Sequence, residues 1–213
     1  MADMDGKMNR YELLGRSTAG SFFAECLLRA AGVEYDFTHV RRSDSGSAEF
    51  RAHNPLSRIP VLVTPDGRDI IESMAIFTHL VETFPQLAPP VGDPLRDSMW
   101  QQLAVLGTSL YPAMHRHHHT RYYAPEEMFD AVREYAAVDA ARWWDYIEGQ
   151  LSPYLAGKSP MAADFYLFMI TRWAPDPDAM LAGRPRLAAF ITAMRQNAIV
   201  GDVNESHGKA RDY

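Results

Sequence analysis

The sequence predicts two units in series, a small α/β unit followed by a larger all-α unit. Three observations predict it. Over residues 9–84 the apolar positions switch between strand-like alternation and helical spacing. Four prolines then fall within the ten residues PQLAPPVGDP, 85–94, which read as a semi-extended linker. Beyond them every long apolar pattern, over 95–200, is helical. Residues 201–213 are polar, lack a period and read as a tail.

Element by element, Tyr11 to Leu14 is a short strand, followed by the loop GRSTAGS. From Ser21 to Ala31 the residues Phe22, Phe23, Cys26, Leu27 and Ala30 recur at helical spacing, and Gly32 is a natural stop. Tyr35 to Val40 alternates as a strand, and the polar stretch RRSDSGSAEFRAHN holds a short helix. Pro60 to Val63, the turn Pro65-Asp66-Gly67 and Ile70-Ile71 form a hairpin. Ser73 opens a helix with the stripe Met74, Ile76, Phe77, Leu80, Val81 and Phe84. The order is β-α-β-α-β-β-α; the crossover helix requires a parallel first pair, and the hairpin adds antiparallel strands. Four helical segments follow the linker: Leu95 to His119, Pro125 to Leu151, Met161 to Trp173 and Pro185 to Val200.

Composition excludes several classes of protein. The chain has 213 residues, 47% apolar and 23% charged, which supports a packed core. One cysteine rules out a disulfide framework and a thiolate zinc site. No apolar run reaches the roughly 18 residues of a membrane span, and MADMDGKMNR is no secretory leader, so a cytoplasmic location is expected. A net charge of −6 argues against nucleic acid as a partner.

Three features of the α/β unit carry chemistry. In NPLSRIPVLVTPDGRDIIESMAI, 54–76, a cis Ile59–Pro60 bond would turn the Ile59 backbone outward, where an extended peptide could pair with it. Glu72-Ser73 stands before a helix whose free N–H groups suit a carboxylate. The hydroxyls of Ser17, Thr18 and Ser21 lead into the first helix, where the dipole and free N–H groups would stabilise a thiolate.

These motifs resemble the cytosolic glutathione S-transferases. NPLSRIPVL…DGRDIIESMAIFTHL follows the family's Asn-Pro-x-x-Lys-Val-Pro-x-Leu…Asp-Gly…Glu-Ser-x-Ala-Ile pattern, and YLAGKSPMAADFYLF resembles its Gly…Ala-Asp helix start. The resemblance spans about residues 9–200. It implies a thioredoxin-like N-terminal domain, an all-α C-terminal domain and glutathione as co-substrate, with no metal. Glu72 and Ser73 would then hold the γ-glutamyl end, the Ile59 backbone beside Pro60 the cysteinyl part, and Arg58 the glycyl carboxylate. The family's usual activating Tyr falls at Leu14, so activation of the Tyr type is not expected. Ser21, Thr18 and Ser17 are the candidates, Ser21 being best placed at the helix start, whereas Cys26 reads as a small buried hydrophobe.

The task is modest. Lowering a thiol pKa of about 8.5 by two units takes about 2.7 kcal/mol. A charge-assisted hydroxyl bond supplies about 1.5–3 kcal/mol and a helix N-terminus about 0.3–2. The thiolate would attack a small, largely apolar electrophile. Its pocket is expected in YPAMHRHHHTRYY, where Tyr111, His115, His118 and Tyr122 make a polar-aromatic wall. His115 and His119 are spaced i, i+4, but no acidic third ligand lies nearby, so no metal is expected. In the family a Ser or Thr stands three residues before Asp164; Met161 there leaves the cap incomplete. Two other readings remain open: a glutathione-dependent isomerase of an unsaturated keto-acid, and a non-enzymatic binding or regulatory protein. The resemblance also implies a homodimer.

Overall fold

In a computed structural model, residues 10–17 and 19–207 are described. The chain divides into two units: one runs to Leu87 and takes back the chain from Ala198, and the other is Ala88–Asn197. The division falls inside the proline-rich segment.

The first unit is built on β1 (Tyr11–Gly15). Its crossover through α1 (Ser21–Ala30) returns the chain to β2 (Tyr35–His39), parallel to β1 from Tyr11↔Tyr35 to Gly15↔His39. Gly32 ends α1 in the left-handed region at φ 70°, where its N–H reaches Arg29 O and the next N–H reaches Leu28 O. A short helix, α2 (Ala48–His53), starts where Ser47 Oγ accepts the Phe50 N–H at 3.1 Å. β3 (Val61–Val63) and β4 (Asp69–Ile71) form the hairpin, and α3 (Ser73–Thr83) closes the α/β portion. The sheet order is β2-β1-β3-β4, with β1–β3 and β3–β4 antiparallel. Pleating sends Leu14 to one face, with Val40, Phe50 and Val61, and Leu13 to the other. Phe23 of α1 and Phe77 of α3 stack at 6.3 Å.

The thioredoxin-like expectation holds. The tail does not: Ala198–His207 is a helix, α10, and it packs on α1. Only Val200, Val203 and His207 are buried along it, a pattern too sparse to stand out in the sequence.

The second unit contains α4 (Pro94–Val105), α5 (Tyr111–His118), α6 (Phe129–Gln150), α7 (Ala162–Thr171), α8 (Pro177–Leu181) and α9 (Pro185–Arg195). The expected single helix over Leu95 to His119 is interrupted by a π-helical segment, Leu106–Leu110. Pro112 has no N–H to give to the carbonyl of Thr108, and its ring crowds that group, so the ladder widens just before it. The five-residue helix α8 was not foreseen, being too short to show a period. In α6, Ala136, Ala140, Trp144 and Ile147 form the buried face. All ten residues of α7 are buried.

Asp164 does more at the start of α7 than cap it. With no exposed surface, its carboxylate accepts the Met161 N–H at 2.8 Å and the Leu155 N–H at 2.9 Å. Met161 supplies no side-chain hydrogen bond in return, so the aspartate half of the box works alone and also ties down the preceding turn. Burial pushes this carboxyl up to about 7, against the opposing backbone hydrogen bonds. Asp164→Ala leaves two enclosed N–H groups unpaired and is expected to lower stability by about 2–4 kcal/mol. The raised value has a definite sign. The folded chain holds the proton more tightly than the unfolded one, so stability falls as pH rises from about 4 to about 7. Urea unfolding across that window should show this slope in the native chain and not in Asp164→Asn.

Candidate active site

Strand register assembles the site. Leu14, Val61 and Ile71 lie in one row across β1, β3 and β4. One residue further on are Gly15, Pro60 and Glu72, so three loops leave the sheet from the same end. Gly20, at the start of α1, closes the group: a Cβ placed on it would lie 3.4 Å from Pro60 Cδ and 4.0 Å from the Ile59 carbonyl oxygen.

At the β4–α3 junction Glu72 adopts φ 68°, ψ 129°, a region that non-glycine residues avoid. Such strain costs about 1–3 kcal/mol and persists where a site needs it. Glu72 occupies the N-cap position, and Ser73, expected to stand before the helix, is its first residue. No side chain caps this end. The first N–H groups of α3 therefore point outward beside an exposed carboxylate, an arrangement for a ligand carrying both an anion and a cation.

The neighbouring loop is held by Asn54, a residue inside the motif to which the sequence alone attached no role. Almost fully buried, it donates from Nδ2 to the Arg58 carbonyl at 2.6 Å, and its Oδ1 accepts the Leu56 N–H at 2.9 Å. Its place at the head of the Asn-Pro motif was the signal that could have found it. The Ile59–Pro60 bond is cis. Pro60 is buried, Ile59 is half-buried and Arg58 is exposed.

The hydroxyl loop differs from its sequence reading. Ser21 has no exposed surface, and its hydroxyl is engaged on both sides: it donates to the Arg16 carbonyl at 2.6 Å and accepts the Arg16 N–H at 3.0 Å. Arg16 is fixed a second time by Nε donating to the Val40 carbonyl at 3.0 Å. A side chain on Gly15 would overlap Ser21 Cβ and come within 2.7 Å of Oγ. Ser17 is buried in the turn that follows, and Thr18 lies outside the described residues. Leu14 packs in the core with Val40, Phe50 and Val61. Cys26 is a buried free thiol inside α1.

In the second unit the Tyr111, His115 and Tyr122 rings run in near-parallel steps of 6.1 Å, at 19° and 15°. Tyr123 Oη lies 2.7 Å from His115 Nδ1. Tyr111 also stacks on Tyr166 at 6.3 Å. His118 is drawn off this row, its Nε2 lying 2.6 Å from the Trp173 carbonyl. Among the described residues no three His, Cys, Asp or Glu side chains are grouped to hold a metal ion, and no helix is long and apolar enough to cross a membrane.

A mixed four-stranded sheet of thioredoxin type thus carries a cis-proline loop, a strained acidic N-cap and a hydroxyl loop at one end. Residues 12–82 match the family described as "Glutathione S-transferase, N-terminal domain". The glutathione S-transferase GstA of Escherichia coli O157:H7 is 27% identical over 92% of this chain and 98% of its own. A glutathione transferase homologue from Sulfitobacter, solved with bound glutathione, superposes with a TM-score of 0.83 at 22% identity, covering 93% of this chain and 99% of that one. The maleylacetoacetate isomerase of Pseudomonas aeruginosa is 32% identical, over 46% of this chain and 48% of its own. Over residues 12–82 the chain carries a glutathione S-transferase N-terminal domain, and over nearly its whole length it is similar to glutathione S-transferases.

Because Ser21 and Gly15 share one close contact, Gly15→Ala is expected to overpack the loop and lower stability by about 1–3 kcal/mol, read as a fall in the urea midpoint.

Proposed function

We propose that this protein is a glutathione transferase that activates the glutathione thiol for attack on a small, largely apolar electrophile. The observation that carries the reading is Glu72 held at φ 68° beside the uncapped start of α3, in the same cross-sheet row as Pro60 and Gly15. Glutathione is a tripeptide with a charged amino-acid end, a thiol and a second carboxylate. Glu72 would face its ammonium group, and the Ser73 hydroxyl and the first N–H groups of α3 its γ-glutamyl carboxylate. The Ile59 backbone would pair with the cysteinyl residue, and Arg58, free to swing in solvent, would meet the glycyl carboxylate. GstA and the Sulfitobacter complex support this reading by kinship and by fold.

For thiol activation, the double hydrogen bond of Ser21 to Arg16 favours a positioning role: donation to a thiolate would first cost its bond to the Arg16 carbonyl. We therefore assign the thiolate contact to Ser17 or Thr18, with Ser21 holding their loop. The acceptor pocket would use the ring row of Tyr111, His115 and Tyr122, with His118 at its border. A homodimer in the cytoplasm completes the reading.

A second reading draws on the partial match to maleylacetoacetate isomerase. There the same thiolate would add to an unsaturated keto-acid and leave again, with glutathione unconsumed. Product analysis separates the two reactions, since only conjugation depletes the thiol. Glutathione binding without either turnover would instead support a binding or regulatory role.

Calorimetry should detect glutathione binding to the native chain. Glu72→Ala is expected to weaken it about 10- to 100-fold, as loss of a charge-assisted contact does. No binding by the native chain would sink the transferase and isomerase readings together. In turnover of an aryl halide, Ser17→Ala or Thr18→Ala should move the pH profile of kcat/KM upward by about one to two units. Ser21→Ala should lower stability by about 1–3 kcal/mol and raise KM without that shift. Three variants with native profiles would refute hydroxyl activation.

A further inference from the structure

The segment between α2 and β3 is fixed by one residue. Asn54 directly follows α2, and its N–H reaches the Phe50 carbonyl at 2.9 Å. Its place is therefore set by a helix whose Phe50 lies in the core with Leu14, Val40 and Val61. From there Asn54 makes three ties forward. Its carbonyl accepts the Ser57 N–H at 2.9 Å, closing a turn with Pro55 at the second position, which the fixed φ of proline suits. Its Oδ1 accepts the Leu56 N–H at 2.9 Å, and its Nδ2 donates to the Arg58 carbonyl at 2.6 Å. Ser57 takes φ 57°, in the left-handed region, where the chain turns back toward Asn54. A residue other than glycine is strained there, and such strain persists where surrounding contacts impose it.

The consequence falls on the next peptide. The Arg58–Ile59 bond is trans, so the Arg58 carbonyl and the Ile59 N–H lie in one plane and point in opposite directions. With the carbonyl drawn toward a side chain that is 1% exposed, the N–H is turned away from that buried side. Among the described residues the Ile59 N–H donates to no group, while the Ile59 side chain packs against the core cluster. Few side chains could impose this arrangement. It takes an acceptor for Leu56 and a donor for Arg58 on one short stem; ionised aspartate lacks the donor, and glutamine is a methylene longer.

We infer that Asn54 is a positioning residue for recognition of a thiol peptide: by holding the Arg58 carbonyl it aims the Ile59 N–H at the carbonyl oxygen of a bound cysteinyl residue. The inference rests on the transferase reading and deepens it. It divides the work of the loop between a backbone group that meets the ligand and a buried side chain that never does. The part of the affinity that passes through Asn54 is then confined to ligands that carry the cysteinyl carbonyl. The γ-glutamyl end, assigned to Glu72 and the start of α3, is independent of it.

The test is calorimetry of the full chain with glutathione and with γ-glutamylcysteamine, which keeps the γ-glutamyl end and the thiol but lacks the cysteinyl carbonyl and everything beyond it. Asn54→Asp keeps an oxygen for the Leu56 N–H and removes the donor to Arg58, and its urea midpoint reports whether the fold is retained. Glutathione should bind this variant about fivefold to tenfold more weakly than the native chain, as loss of one aimed hydrogen bond requires. γ-Glutamylcysteamine should lose less than about twofold. A measurement on the native chain needs no variant: hydrogen exchange at the Ile59 N–H should slow at least about tenfold on saturation with S-methylglutathione, which cannot react. Equal losses for the two ligands, equal glutathione affinity of native and variant chains, or unaltered exchange at Ile59 would each overturn the inference and leave the transferase reading in place. If Asn54→Asp does not fold, the exchange measurement decides. A native chain that binds no glutathione overturns both.

Discussion

Register is the constraint on which the rest depends. β1, β3 and β4 share one row at Leu14, Val61 and Ile71, and the side-chain period of a strand is two. A slip of one residue in the hairpin would turn Val61 out of the core and carry Glu72 away from Pro60. The apolar cluster of Leu14, Val40, Phe50 and Val61 therefore does two things at once. It supplies burial, and it sets the alignment of three loops. The loops are then finished by polar ties: Asn54 on the cis-proline side, and Ser21 with Arg16 on the hydroxyl side.

Strain is confined where those ties surround it. Glu72 sits in a conformation that a glycine would adopt more cheaply, yet the side chain there is acidic. A glycine would relax the backbone and discard the charge. Retaining glutamate gives the end of the sheet both an exposed carboxylate and a row of unpaired amides. That combination is complementary to an amino-acid terminus, with its ammonium and carboxylate, more than to a simple anion.

Much of the architecture was legible from the chain itself, for reasons visible in particular residues. The alternation at Tyr35 to His39, the Asp66-Gly67 turn and the stripe from Met74 to Val81 are local signals, and local signals survive translation into structure. The proline cluster marked the division between units for the same reason. Other features depend on distant contacts. The helix over Ala198–His207 is specified by three buried residues meeting α1, and the π segment by one proline two residues beyond its end. At the candidate site, the cis Ile59–Pro60 bond and the helix after Glu72 were readable because the motif is contiguous. Ser21 was not, since a hydroxyl at a helix start looks the same whether it faces a ligand or its own loop. Only the 2.6 Å bond to the Arg16 carbonyl distinguishes the two.

The return of α10 to α1 also bears on how the chain comes to be folded. Ser206 and Glu25 meet across 181 positions of sequence, so the helical unit is an insertion within the first unit and not an appendage to it. During synthesis the α/β portion precedes the all-α unit, yet the inward face of β2 stays without its helical cover until Ala198–His207 has been made. The all-α unit, made of local contacts, has the whole of its sequence available earlier than its older neighbour does. The α/β portion, translated before the helical unit, is thus completed after it.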